Sequence, residues 1–80
     1  MPVIIRSSGF RFIILPGDHD PPHVHIRKAG GELIINLGID VGEPWIRNVY
    51  RMTNRDIETA FAIIEANNDL FLKRWKEIQP

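Results

Sequence analysis

The chain contains no cysteine. A disulfide framework, a thiolate zinc centre and a cysteine–histidine nucleophile are therefore excluded. Also missing is any apolar stretch near the roughly 18 residues that a membrane-spanning helix needs. Met1-Pro2-Val3-Ile4-Ile5-Arg6 lacks a basic region followed by a long apolar run, so it is not read as a signal peptide. Net charge is absent too, since ten basic residues balance ten acidic ones. A neutral chain has no overall field to draw in nucleic acid, which leaves only local patches for such a partner. Near-zero charge also removes repulsion between copies, which favours a partner protein or a homodimer. No internal repeat, low-complexity stretch or linker divides the chain.

What is present fits one small domain spanning residues 1–80. The 44 % hydrophobic content is that of a globular protein. A chain this size buries about 60 % of its unfolded surface, so its net stability is a few kcal/mol. The lack of cysteine suits a reducing cytoplasm.

The first half is rich in β-branched and aromatic residues punctuated by glycine. Val3–Arg6 and Phe10–Leu15 read as a hairpin around Ser7-Ser8-Gly9. Phe10, Phe12 and Ile14 share one face; Arg11, Ile13 and Leu15 share the other. Pro16-Gly17-Asp18 closes that strand. From His23 to Lys28 the chain alternates, with Val24 and Ile26 on one side and His23, His25 and Arg27 on the other. Gly30-Gly31 follow a strand without opening a helix, which makes them a hairpin turn rather than a phosphate loop. Leu33, Ile35 and Leu37 line one face of a fourth strand over Glu32–Leu37. Gly38 to Pro44 is a loop, and Trp45–Tyr50 reads as a fifth strand or as coil.

Thr53 opens the helical half, with Asp56 in the capping-box position and Met52 and Ile57 placed as a hydrophobic staple. Ile57, Ala60, Phe61 and Ile64 recur at helical spacing. Asn67-Asn68-Asp69 interrupts the pattern, and any of the three can cap a new turn. Phe71, Trp75 and Ile78 carry the apolar stripe onward. Either two helices or one long kinked helix follows. The fold class is thus α+β: an antiparallel meander of four strands, with a fifth left open, and C-terminal helices covering one face.

Chemistry concentrates in Asp18-His19-Asp20-Pro21-Pro22-His23-Val24-His25, which holds all three histidines of the chain. On an alternating strand, His23 and His25 stand on one face about 6–7 Å apart at Cα. Two parallel imidazoles can converge on one ion, with His19, Asp18 or Asp20 as a further ligand. Three protein ligands with an open position are the arrangement of catalytic zinc. Pro21-Pro22 fixes φ twice and stiffens the approach to the strand. The same residues have other readings. An antiparallel sheet normally shows a polar outer face, so His23 and His25 could simply be solvent-facing. As general acid and base, with Arg27 and Arg11 on the phosphate, they would make a small endoribonuclease. Arg47, Arg51 and Arg55 with Trp45 and Tyr50 make either a solvated face or a surface for RNA or a protein. Trp75 reads as core.

Across nearly its whole length the chain resembles the small bacterial family named domain of unknown function 4160. The resemblance rests on Met-Pro near the start, Gly9-Phe10-Arg11-Phe12, the His19-x-Pro21-Pro22-His23-Val24-His25-Ile26 core, the Gly31 turn, Asn54-Arg55-Asp56 and Trp75. It implies a small cytoplasmic protein that binds a small protein partner encoded nearby, in an arrangement like a toxin–antitoxin pair. It implies no activity for any residue. Three expectations follow: a partner-binding component of such a pair, an endoribonuclease using His23, His25 and Arg27, or a module that binds a divalent metal such as zinc without turnover.

Overall fold

A computed structural model describes residues 3–40 and 42–79. Met1-Pro2, part of the family resemblance, and Val41, within the expected loop, fall outside the described residues. The elements run β1 (Val3–Ser7), β2 (Phe10–Ile13), β3 (His23–Lys28), β4 (Gly31–Asn36), β5 (Trp45–Tyr50), α1 (Asn54–Ala66) and α2 (Asn68–Ile78). The strands form one antiparallel sheet in sequence order, so every connection joins neighbours. Trp45–Tyr50 is a strand, which resolves that open reading. It carries a bulge at Arg47, since Ile34 pairs with Asn48 but Ile35 with Ile46.

Two tight turns set the register. Ser8 and Gly9 (φ 53° and 81°) join β1 to β2, and Ala29 and Gly30 (φ 47° and 82°) join β3 to β4. Positive φ at both central positions is what a two-residue type I′ hairpin turn requires. Gly31 meets a different demand. A Cβ there would lie 2.2 Å from the Arg51 carbonyl oxygen, so β5 reaches β4 only beside a glycine.

Alternation then sorts the side chains. Phe10, Phe12, Val24, Ile26, Leu33 and Ile35 are at most 2 % exposed and face the helices. They pack with Ala60 and Ile64 of α1 and Phe71 and Trp75 of α2, the Phe12 and Phe71 rings lying 5.8 Å apart. Both helices therefore lie over one face, as the apolar stripes indicate. No helix among the described residues is long and apolar enough to cross a membrane.

The helix boundaries follow local chemistry. Thr53 accepts from the Asp56 amide at 3.0 Å, and the Asp56 carboxylate accepts from the Thr53 amide, completing the capping box. The two helices break at Asn67, whose side chain makes no cap; its Nδ2 donates back to the Ile63 carbonyl instead. Asn68 reaches across to the chain after β4, accepting from the Gly38 amide and donating to its carbonyl. Gln79, just past α2, likewise accepts from the Gly17 amide and donates to the Leu15 carbonyl, both at 2.8 Å. These contacts tie the helices to the loops at one end of the sheet.

Two expected outcomes follow. Lys28 donates to Asp56 at 3.0 Å, and this bond, aided by those from Thr53, holds the Asp56 carboxyl below its usual 3.8. A pKa lowered in the fold contributes stability that is complete above the unfolded value and is lost as pH falls through the folded one. Lys28→Met should therefore melt lower at neutral pH and lose less stability than the parent as pH falls below about 4, measured by circular dichroism. Ala29 sits in the left-handed region that asparagine tolerates better. Ala29→Asn should raise the melting temperature by roughly 2–8 °C, the equivalent of about 0.5–1 kcal/mol.

Candidate metal centre

β2 stops at Ile13, earlier than Leu15, because Pro16 and Gly17 turn the chain into a connection that returns it to β3 at His23. That connection is anchored at Leu15 and Gly17 by Gln79, and near its end by the Leu37 amide donating to the Pro22 carbonyl at 2.9 Å. Its Asp20–Pro21 bond is cis. Held this way, the loop brings Asp18 to the end of β3 that carries the histidines, beside Trp75 and the end of α2.

There Asp18 meets two histidines. Asp18 Oδ2 lies 3.1 Å from His23 Nε2 and 3.0 Å from His25 Nε2. The other ring nitrogens turn away. His23 Nδ1 is 2.8 Å from the Pro21 carbonyl, and His25 Nδ1 is 3.7 Å from Glu32 Oε2. A carbonyl only accepts, so Nδ1 of His23 carries the proton in that contact. A neutral His23 then presents a bare Nε2 lone pair to a carboxylate oxygen. Two acceptors at this distance need a proton or a cation between them.

The expectation that the histidines simply decorate a solvent face is overturned. His23 is 5 % exposed and its ring packs against that of Trp75, the centroids 5.1 Å apart and the planes tilted by 50°. The side chain of His25 is 13 % exposed, with Ile13 and Ile34 as its strand neighbours on either side. His25 Nδ1 and Asn36 Oδ1 are buried without a hydrogen-bond partner. Asn36, 2 % exposed, pairs directly with His23 across the strands.

Of the five residues considered as metal ligands, the structure brings three together: ligand atoms of Asp18, His23 and His25 all lie within 4.8 Å of one another. His19 and Asp20 stay outside that group and line, with Ile34, Arg47 and Asn48, a cleft of about 550 Å³ in front of it. Arg27 turns to Glu32, its Nε donating to Oε2 at 2.9 Å. Of the basic and aromatic group, Arg47 reaches the cleft, whereas Arg51 lies over the Tyr50 ring at 5.4 Å. Glu32, Asn36 and the Pro21 carbonyl were not singled out from the sequence. The two-residue turn at Ala29-Gly30 was the signal available for the first two, because it alone sets Glu32 opposite Arg27 and Asn36 opposite His23. Nothing in the sequence marks the carbonyl.

Comparison with known proteins finds no match among the curated proteins and none among the solved structures. Residues 9–76, well over half of the chain and including the whole histidine segment, match the family described as Domain of unknown function (DUF4160). The protein belongs to the DUF4160 family.

Proposed function

We propose that the protein binds a divalent metal ion, zinc in the first instance, through His23 Nε2, His25 Nε2 and Asp18 Oδ2. The observation that carries this reading is the orientation of the two rings. Both Nε2 atoms face one carboxylate oxygen, while His23 Nδ1 donates to the Pro21 carbonyl. Ligating histidines usually point one nitrogen at the ion and the other N–H at a carbonyl or carboxylate. Tetrahedral ligand atoms about 2.0–2.1 Å from zinc stand roughly 3.3 Å apart. The two nitrogen–oxygen separations are already near that spacing. A cation also resolves the clash of acceptors at His23 without a second proton on its ring. Two histidines and one carboxylate leave a coordination position open toward the cleft, the pattern of a metal that meets a ligand.

A titration of the purified, tag-free chain with zinc, followed by calorimetry, tests the reading. One equivalent should bind, the melting temperature should rise with zinc concentration, and occupancy should fall in acid because imidazole ligands bind as neutral bases. His23→Ala/His25→Ala should abolish stoichiometric binding, and Asp18→Asn should weaken it by at least tenfold. Heat and melting curves unchanged by zinc, iron(II) or manganese would sink the proposal. The acid–base reading of His23 and His25 has less support, because a single carboxylate engages both Nε2 atoms.

A second reading concerns β5, and it is compatible with the first. The family resemblance suggests a cytoplasmic component of a toxin–antitoxin-like pair. The observation favouring a partner protein is an edge strand exposed along its whole length, with Trp45 and Tyr50 each 56 % exposed and Ile46 and Val49 over 40 %. Such an edge offers unpaired backbone groups and apolar anchors for strand addition. Co-expressed with the protein encoded beside it, the chain should elute as a complex, and Trp45→Ser/Tyr50→Ser should release it. Separate elution of the unmodified pair would count against this role.

A further inference from the structure

The hairpin registers place three arginines in one row. Arg6 pairs with Arg11 across β1–β2, and Arg11 pairs with Arg27 across β2–β3. Adjacent strands stand about 4.8 Å apart, so the row crosses roughly 10 Å of sheet. All three positions share the helix-free face, and Arg27 lies two residues along β3 from His25. Like charges directly opposite one another destabilise a sheet. General basicity does not explain them, because the chain has no net charge. The carboxylate at the end of the row, Glu32, is taken by Arg27. Arg6 and Arg11 are exposed and have no acidic partner among the described residues. A row of this kind is relieved by anions from outside.

The rest of this face says which anion. Arg47 adds a fourth cation on the opposite side of the histidine site, within its cleft. Positive charge is therefore spread well beyond the reach of a single phosphate. Tyr50 pairs with Glu32 and Trp45 with Asn36, which puts both exposed rings on this same face. Aromatic rings beside a cationic track are the usual platform for stacked bases. A flat anionic membrane would press against Asp20 and Glu32 as well as the arginines, whereas a single strand can pass between them.

We propose that the helix-free face of the sheet binds single-stranded nucleic acid. Backbone phosphates lie along Arg6 and Arg11, bases stack on Tyr50 and Trp45, and one phosphodiester reaches the open position of the metal. The last element rests on the metal reading; the arginine row does not. With no net charge to steer the encounter, binding is modest and strongly salt-dependent.

The test is fluorescence anisotropy of a labelled twelve-nucleotide oligouridylate with the full chain at low salt, with and without zinc. Binding should weaken at least tenfold in Arg6→Ala/Arg11→Ala while zinc stoichiometry stays unchanged. Losing two phosphate contacts should lower the log–log salt slope by about 1.4. Arg6→Lys/Arg11→Lys should recover most of the affinity, and Tyr50→Ala should lose several-fold. Circular dichroism should show the arginine variants folded, since removing opposed like charges does not cost stability. Zinc binding with no oligonucleotide binding, or equal affinity in Arg6→Ala/Arg11→Ala, overturns the proposal alone. Equal affinity for uridine monophosphate or for phosphatidylserine vesicles overturns its polymeric ligand. Arginine-dependent binding without any zinc effect upholds the row and removes the metal from it.

Discussion

A sheet covered by helices on one side only has to divide its residues strictly by parity, and everything else in this protein depends on that division. Even-numbered positions of β2 and β3 fill the core beneath α1 and α2; odd-numbered positions are left to the other face. A slip of one residue would put His25 under the helices and Val24 in water. The tight turns at Ser8-Gly9 and Ala29-Gly30 prevent that slip by leaving no length to spare. The histidine pair, the arginine row and the exposed rings of β5 therefore stand together because of register, although they are scattered along the chain.

The open face is not uniformly wet. The connection between β2 and β3 folds back over one end of it, and this explains how His23 and Asn36 come to be nearly as buried as the core. Burial raises the cost of every unmatched polar atom. His25 Nδ1 and Asn36 Oδ1 are buried without a hydrogen-bond partner, and His23 Nε2 and Asp18 Oδ2 meet as two acceptors. The ion proposed above would face both rings and the carboxylate at once.

Much of this was legible in the residues. Alternation in Val24–Ile26 and Leu33–Ile35, the capping box at Thr53 and Asp56, and the stripe through Ile64, Phe71 and Trp75 are local signals, and they mark the elements they form. The crowding of histidines between positions 19 and 25 marked the segment where Asp18, His23 and His25 come together. What sequence could not rank was which carboxylate would serve. Asp18 and Asp20 are two residues apart in an irregular loop, with no periodicity to say which points inward. The choice falls to contacts made by Gln79 and Leu37, far away in the chain. Burial of His23 escaped for a similar reason: Trp75, which packs against its ring, was legible as core but not as the wall of a site.

The bond from Gln79 to the loop carrying Asp18 closes a gap of 62 residues. The loop that carries Asp18 is therefore held by the far end of α2 as well as by the strands it joins. Loosening the last turn of that helix would free the corner without disturbing the register of the sheet, so the two halves of the fold are coupled where the histidines lie.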